Sequence, residues 1–179
     1  MSNIIILAGS ERKDGNTDML VDAFKKGAAK KNKVEVISVR SHDINPCIGC
    51  NSCFTRLGNE CFQKDDMQMV YEKLKTADVL VIASPVYFYG ISAQLKAIID
   101  RLHTPMRNEF PIKKLALILV GAAMLPELFD SIKLQYKLVL SFFHLEDAGM
   151  VLVQGAKNIG DVKNTDGLDR AYELGLSIG

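Results

Sequence analysis

The chain has 179 residues, 48% of them hydrophobic and 24% charged, with 22 basic against 21 acidic side chains and a formal net charge of +1. That length suits one domain with a substantial core, and the even charge balance gives no footprint for a nucleic-acid partner or an anionic membrane surface. No run approaches the roughly eighteen apolar residues of a membrane-crossing helix, and the opening MSNIIILAGSERKDG lacks the basic leader and long apolar stretch of a secretory signal, so the expected location is the cytoplasm.

Apolar runs alternate with helical patterns along the chain. Asn3–Ala8 (NIIILA) is a short, nearly continuous apolar strand. Residues 17–30 read as a helix, with Leu20, Val21, Phe24 and Ala28 on one face and Lys25, Lys26 and Lys30 in solvent. Residues 34–39 form a second strand. Residues 40–64 show no periodicity; so long an irregular connection in a compact domain is usually functional or held by something. Residues 65–76 are expected as a helix with Asp65 or Asp66 near its N-cap and Met69, Val70 and Leu74 inward. A buried strand at 79–83 precedes a helix at 92–102, where Leu95, Ile98, Ile99 and Leu102 share a face. A fourth strand at 114–121, a long helix at 126–143, a fifth strand at 149–154 and a terminal helix at 166–176 complete the pattern.

Strands that are apolar on both faces and alternate with amphipathic helices predict a parallel sheet covered on both sides. Five such units suggest a doubly wound α/β fold of flavodoxin-like strand order 2-1-3-4-5, in three α/β/α layers. It would form a single domain over residues 1–179, with a cysteine-rich loop at 43–64. In such sheets ligands bind beyond the C-terminal strand ends, at the switch point beside strands 1 and 3.

The turn after strand 1, GSERKDGNT at residues 9–17, follows a buried strand and opens a helix. Gly9 and Gly15 permit tight turns, Ser10, Asn16 and Thr17 offer short polar side chains, and Arg12 carries a permanent fork of donors. Free N–H groups at the helix start favour an anion. The turn is neither a Walker loop nor G-x-G-x-x-G, so one terminal phosphate suits it best; the alternative is a plain polar turn. The loop after strand 3, SPVYFYGIS at residues 84–92, is dense in aromatic side chains. With close backbone at Gly90 it suits a flat ring system such as an isoalloxazine. The alternative is that Tyr87, Phe88 and Tyr89 are packing or subunit-interface residues.

All four cysteines, Cys47, Cys50, Cys53 and Cys61, fall within fifteen residues at the spacing C-x2-C-x2-C-x7-C. In a reducing compartment such a cluster points to metal or redox chemistry rather than disulfides. Three readings stand. A [4Fe-4S] cluster needs four thiolates, and the triple spacing is closer to an iron–sulfur ligand set than to a zinc ribbon. It departs from the ferredoxin form in the seven residues before the fourth cysteine and in Phe62 after it. Zinc accepts four cysteines, but two separated C-x2-C knuckles are absent. The third reading is a loop of free thiols.

Together, GSERKDGNT, SPVYFYGISAQLKAIIDR and the cysteine run resemble the NAD(P)H-dependent FMN reductases of flavodoxin-like fold. The cysteine spacing resembles the iron–sulfur flavoprotein branch of that family. The resemblance covers residues 4–121. It implies that Ser10, Arg12, Asn16 and Thr17 hold the FMN phosphate. It implies that Pro85, Val86, Tyr87, Phe88 and Gly90 line the flavin ring and that Gly121 and Ala122 flank its other side. Cys47, Cys50, Cys53 and Cys61 would ligate a cluster. Lys96, Asp100 and Arg101 also match the family pattern and read as structural, an exposed helix face with an ion pair at its end. FMN carries the chemistry in such proteins, so no catalytic acid, base or nucleophile is expected. His42, His103 and His144 show no paired spacing with carboxylates and read as surface or core residues.

The leading expectation is thus an enzyme that uses NAD(P)H as co-substrate to reduce a free flavin, a quinone or a similar acceptor. The alternative is a non-enzymatic electron carrier fed by ferredoxin, and a third reading is an interaction module that binds no FMN. A homodimer or homotetramer is expected, with the segment HTPMRNEFP at 103–111, through exposed Met106 and Phe110, joining an interface over the ring.

Overall fold

The computed structural model describes residues 1–178. Its five strands are β1 (Asn3–Ala8), β2 (Lys33–Ser38), β3 (Val79–Pro85), β4 (Lys114–Val120) and β5 (Glu146–Val153). They pair in parallel in the order β2-β1-β3-β4-β5. The helices are α1 (Asn16–Ala28), α2 (Ser52–Thr55), α3 (Met67–Leu74), α4 (Ala93–Arg101), α5 (Asp130–Phe143) and α6 (Gly167–Ser177).

Strand side chains alternate between faces with a period of two, and here both faces are covered. Ile4, Ile6, Val81, Ala83 and Ile118 pack against Leu20 and Phe24 of α1 and Ala171 of α6. Ile5, Leu7, Leu80, Ile82 and Leu117 pack on the opposite face against Val70 and Leu74 of α3, Leu95 and Ile98 of α4 and Ile132 of α5. The continuous apolar runs of β1, β3 and β4 follow from this double burial.

Two element starts differ by more than two residues from the sequence expectation, each for a local reason, and the inward face of one helix differs as well. The long helix α5 begins at Asp130 rather than at 126. Tight turns precede it, with Leu128 N–H on the Leu125 carbonyl (3.1 Å) and Asp130 N–H on that of Glu127 (3.0 Å). They fold Leu128 and Phe129 into the core. Strand β5 begins at Glu146 rather than 149, because a register shift opposite Leu115/Ala116 and Gly149 at φ 111° carry the chain through a bulge that breaks the apolar pattern. In α3 the inward face is Met67, Val70, Tyr71 and Leu74, and Met69 is only partly buried.

The cysteine segment is not featureless. It holds α2 and short 3-10 turns at Val39–Ser41 and Leu57–Asn59, yet no residue from 40 to 64 is buried. No helix among the described residues is long and apolar enough to cross a membrane.

Candidate functional site

The loop after β1 is pinned from several sides. Gly9 N–H bonds the Ala83 carbonyl of β3 at 2.8 Å. A Cβ at Gly9 would stand 2.7 Å from Leu95 and 2.9 Å from Ser92 Oγ, so only glycine lets the loop run this close to α4. Asp14, at φ 55°, turns the chain toward α1. The first backbone bond of α1 is Met19 N–H to Gly15 carbonyl, at 3.0 Å. The N–H groups of Asn16, Thr17 and Asp18 therefore have no partner within the helix, an arrangement that attracts an anion.

The four residues assigned to the phosphate divide in two ways. Ser10 and Thr17 are buried at the helix mouth, and Ser10 Oγ accepts from Arg12 N–H at 3.2 Å. Arg12 is exposed and donates from Nη1 to the Lys157 carbonyl at 3.2 Å. The Asn16 side chain is fully committed to the loop after β5. Its Nδ2 donates to the carbonyls of Ala156 (3.2 Å) and Asn158 (2.8 Å), and its Oδ1 accepts from Gly160 (3.0 Å) and Val162 (3.3 Å) N–H. Only its backbone N–H faces the helix mouth's role.

Arg40, which the sequence reading did not single out, braces the same loop. Its Nη1 donates to the carbonyls of Ser10 (2.6 Å) and Arg12 (3.1 Å), and its Nη2 pairs with Asp18 at 2.9 Å. The signal was present: β2 lies beside β1 with Ser38 opposite Ala8, so a cation just past Ser38 falls beneath the loop that follows Ala8.

The loop after β3 forms a tight aromatic hairpin. Val86 N–H bonds the Val120 carbonyl at 2.8 Å, and Tyr87 and Gly90 exchange two backbone bonds at 2.9 and 3.0 Å. Phe88 and Tyr89, at φ 48° and 63°, occupy the left-handed region that bulky residues rarely adopt. Phe88 is 98% exposed, and Tyr87 and Tyr89 are roughly half exposed. Ser131 of α5 donates to the Tyr89 carbonyl and ties the hairpin down. Pro85 and Val86 are half-buried at its root. On the far side, Gly121 bonds Val153 and Ala156 through its backbone (2.9 and 3.1 Å), and Ala122 is exposed beside it. A Cβ at Gly121 would meet Leu128 at 2.7 Å. The strand order thus gathers the expected ring and phosphate residues along the C-terminal edge of the sheet.

The cysteines are arranged less tightly. Cys47 and Cys50 are exposed, Cys53 and Cys61 are half-buried, and all four are free thiols. Their side chains do not converge: among the described residues no three His, Cys, Asp or Glu side chains are gathered to hold a metal. The Ser52 hydroxyl and backbone, hydrogen-bonded to Cys50, draw its thiol below the usual range. The segment is clamped at both ends. Asp43 N–H bonds the Asp66 carboxylate (2.8 Å), Asn45 N–H bonds Asp65 (2.9 Å), Gln63 Nε2 bonds the Pro46 carbonyl (3.2 Å) and Thr104 Oγ1 bonds that of Asn59 (3.2 Å).

Arg101 belongs to this clamp. Lys96 and Asp100 pair on the exposed face of α4, whereas Arg101 turns inward and pairs with Asp65, their side chains 3% and 2% exposed. Burial alone would raise the Asp65 carboxyl, but the Arg101 hydrogen bond and the N–H groups of Asn45 and Met67 hold it below its ordinary value. Burial pushes the Tyr71 phenol up to about 12, and its hydroxyl donates to the Arg101 carbonyl at 2.9 Å.

Two expectations are corrected nearby. Met106 is not exposed but 2% accessible in the core, and Phe110 stacks on Tyr71 at 6.3 Å, because the 3-10 turn Pro105–Glu109 folds the segment inward. The histidines serve structure: His42 Nδ1 lies 2.9 Å from the Ser38 carbonyl, His103 sits between the rings of Phe54 and Phe142, and His144 ends α5 in the left-handed conformation. A cavity of about 480 Å³ lies between α4, α5 and the sheet, lined by Leu80, Ile82, Leu115 and Tyr136 and by Ile91 from the loop after β3.

This strand order, with an anion-attracting turn after β1 and an aromatic hairpin after β3, defines a flavodoxin-like α/β protein. Residues 2–159 match the family described as NADPH-dependent FMN reductase, and the chain belongs to that family. It is 34% identical over 185 aligned positions to an iron-sulfur flavoprotein of Methanocaldococcus jannaschii, covering 98% of this chain and 94% of that one. An iron-sulfur flavoprotein of Archaeoglobus fulgidus is 37% identical over 97 residues, which span 54% of this chain and 43% of that protein. Among solved structures, an NAD(P)H:quinone oxidoreductase from Methanothermobacter marburgensis shares the fold at a TM-score of 0.75 and 15% identity, covering 99% of each chain. The chain is a flavin-dependent oxidoreductase of this family.

Proposed function

We propose that the protein binds FMN, accepts reducing equivalents from NADH or NADPH, and passes them to a flavin, a quinone or a similar acceptor. One observation carries this reading: the open N–H groups at the start of α1 and the strained aromatic hairpin stand at the ends of neighbouring strands β1 and β3. That spacing suits a ligand with a phosphate at one end and a flat ring at the other. FMN, when bound, supplies the hydride and single-electron chemistry. The chain's own residues bind and orient it. The amides of Asn16, Thr17 and Asp18, with Ser10, Thr17 and Arg12, would hold the phosphate. Arg40 stiffens the loop and adds positive charge behind it. Tyr87, Phe88 and the backbone to Gly90 would cover the ring, with Pro85, Val86, Gly121 and Ala122 at its edges.

Cys47, Cys50, Cys53 and Cys61 would hold a [4Fe-4S] cluster, which when bound supplies one-electron exchange. Two features support this: four soft thiol donors, all free, within fifteen residues, and a buried donor nitrogen of Arg101 that lacks a partner beside the clamp of that segment. We read residues 1–179 as one cytoplasmic FMN-binding domain that assembles as a homodimer or homotetramer.

The test is anaerobic purification followed by an absorption spectrum, iron and acid-labile sulfide assays, and addition of NADH or NADPH. Flavin bands that bleach on nucleotide addition, with about four irons and four sulfides per chain, support the full reading. Bleaching without iron after reconstitution leaves the oxidoreductase and removes the cluster. Reduction by ferredoxin alone makes the protein an electron carrier. Absence of flavin binding overturns the proposal.

A further inference from the structure

Protein interiors rarely hold a void larger than a water molecule, yet α4, α5 and the sheet leave a cavity of about 480 Å³ between them, within the range of small-molecule sites. Its floor is Leu80 and Ile82 of β3 and Leu115 and Leu117 of β4. One end lies at Ile132 in the first turn of α5 and the other at Phe142 and Phe143 in its last turn, about 15 Å away at 1.5 Å per helical residue. The long walls are aliphatic, with Ile91, Ile99 and Leu102 on the α4 side and Leu138 and Val139 on the α5 side. Polar groups along the slot are mostly committed elsewhere. The Tyr136 hydroxyl sits between Asp147 Oδ1 (2.8 Å) and the Leu115 carbonyl, and the Asp100 carboxylate pairs with Lys96. His103 and Gln135, both exposed, complete the polar lining.

A cation stands at the aromatic end. The Arg107 guanidinium lies 5.4 Å from the centre of the Phe142 ring. It also lines a smaller cavity of about 90 Å³ that shares Leu80, Leu102, Leu115, Val139 and Phe143 with the larger one. Its Nη1 donates to the Thr104 carbonyl at 2.8 Å, and Arg107 forms no ion pair among the described residues. An aliphatic slot that ends at an unpaired guanidinium fits a molecule with an apolar chain and one anionic head, since the planar fork of arginine matches a carboxylate.

We propose that the slot between α4 and α5 binds an aliphatic carboxylic acid, its chain along the strand floor and its carboxylate at Arg107. None of the residues assigned to FMN lines the slot, so the inference does not rest on the flavin reading. A second copy of the chain answers the geometry less well. It would meet the outer face of α5 at Leu134, which is 61% exposed and does not line the slot, and it would leave the sheet floor empty and the Arg107 charge unanswered.

The experiment uses the full chain with FMN added, its isoleucine methyl groups labelled for NMR, and dodecanoate or dodecanol as the probe below its aggregation limit. Dodecanoate is expected to bind one per chain and to shift Ile82, Ile91, Ile99 and Ile132, which line the slot, while Ile4, Ile6 and Ile118 on the other face of the sheet stay in place. Arg107→Gln is expected to weaken dodecanoate about tenfold, the loss of one charge-assisted contact, and to leave dodecanol unchanged. Ile99→Trp, which fills the slot, is expected to abolish both. If Ile99→Trp does not fold, the native shift map and Arg107→Gln decide. No binding, shifts centred on other isoleucines, or equal weakening of acid and alcohol by Arg107→Gln overturns the proposal. So does a slot closed by a second copy: the four isoleucines would then shift with protein concentration alone, sedimentation would show the dimer, and dodecanoate would not enter. A protein that takes up dodecanoate but no FMN loses the flavin reading and keeps this one.

Discussion

Asn16 Oδ1 accepts the backbone N–H of Gly160 at 3.0 Å, so a side chain in the first turn of α1 holds the loop that follows β5. With its three further bonds to Ala156, Asn158 and Val162, one amide organises the rim of the phosphate end from behind. Asn16→Ala strips partners from buried or half-buried backbone groups, each worth about 1–3 kcal/mol when orphaned. We expect the apoprotein to lose about 2 kcal/mol or more in urea unfolding, and FMN to bind more weakly by fluorescence titration. An unchanged unfolding midpoint would show that the loop after β5 does not depend on this amide.

Phe88 and Tyr89 give the opposite kind of prediction. Both are held at positive φ, a costly arrangement, and the Phe88 ring is almost wholly in solvent with only the edge of Tyr89 beside it. Phe88→Gly is expected to stabilise the apoprotein by about 1 kcal/mol through relief of that strain. It is also expected to weaken FMN binding, because the exposed ring and the fixed turn are lost together. Paired urea and flavin titrations check both signs; a variant that is less stable and binds FMN normally would assign the turn to folding instead.

How far the sequence could be read depended on whether a feature was periodic. The double-faced apolar runs of β1, β3 and β4 revealed a parallel sheet covered on both faces, because burial on both sides leaves a simple mark. The start of β5 did not, since the bulge at Gly149 interrupts the alternation that reveals a strand. At the candidate site, the short polar residues after β1 and the aromatics after β3 were legible as types at an expected edge. The commitment of the Asn16 amide to a loop 140 or more residues away was not, because a hydrogen bond between distant segments leaves no local pattern. Arg101 was read from its helical neighbours, and its partner Asp65 lies 36 residues back, beyond α3 and β3, where no local pattern announces a pairing.

Gly27 and Gly175 were likewise silent in the sequence, yet they set the distance between α1 and α6. A Cβ at Gly27 would stand 2.1 Å from the Tyr172 carbonyl oxygen, and one at Gly175 would stand 2.2 Å from that of Phe24. The obstacles are backbone atoms, which cannot rotate aside, so the helices must part. Gly27→Ala gains helix propensity of up to about 1 kcal/mol but is expected to lose about 1–3 kcal/mol by overpacking. A net fall in the denaturation midpoint is the expected result, with the FMN-binding loops unaffected in composition. A net gain in stability would mean that the two helices separate at little cost.

The buried Asp65–Arg101 pair predicts how stability follows pH. The Asp65 carboxyl is held below its ordinary value, chiefly by Arg101 against the opposing effect of burial. A carboxyl depressed by folding contributes its full stability above the unfolded value, near 3.9, and loses it as pH falls through the lower folded value. Arg101 stays charged throughout this range. Asp65→Asn leaves the Arg101 charge buried without its partner, a change worth about 3–5 kcal/mol in other buried pairs. The stability gap between the native protein and Asp65→Asn is therefore expected to be large and flat from about pH 5 to 8, and to shrink only below about pH 4. Urea unfolding of both apoproteins across that range measures the gap directly. A gap already shrinking at neutral pH would locate the titrating group elsewhere, and no gap at all would mean that the clamp beneath the cysteine segment contributes nothing to the fold.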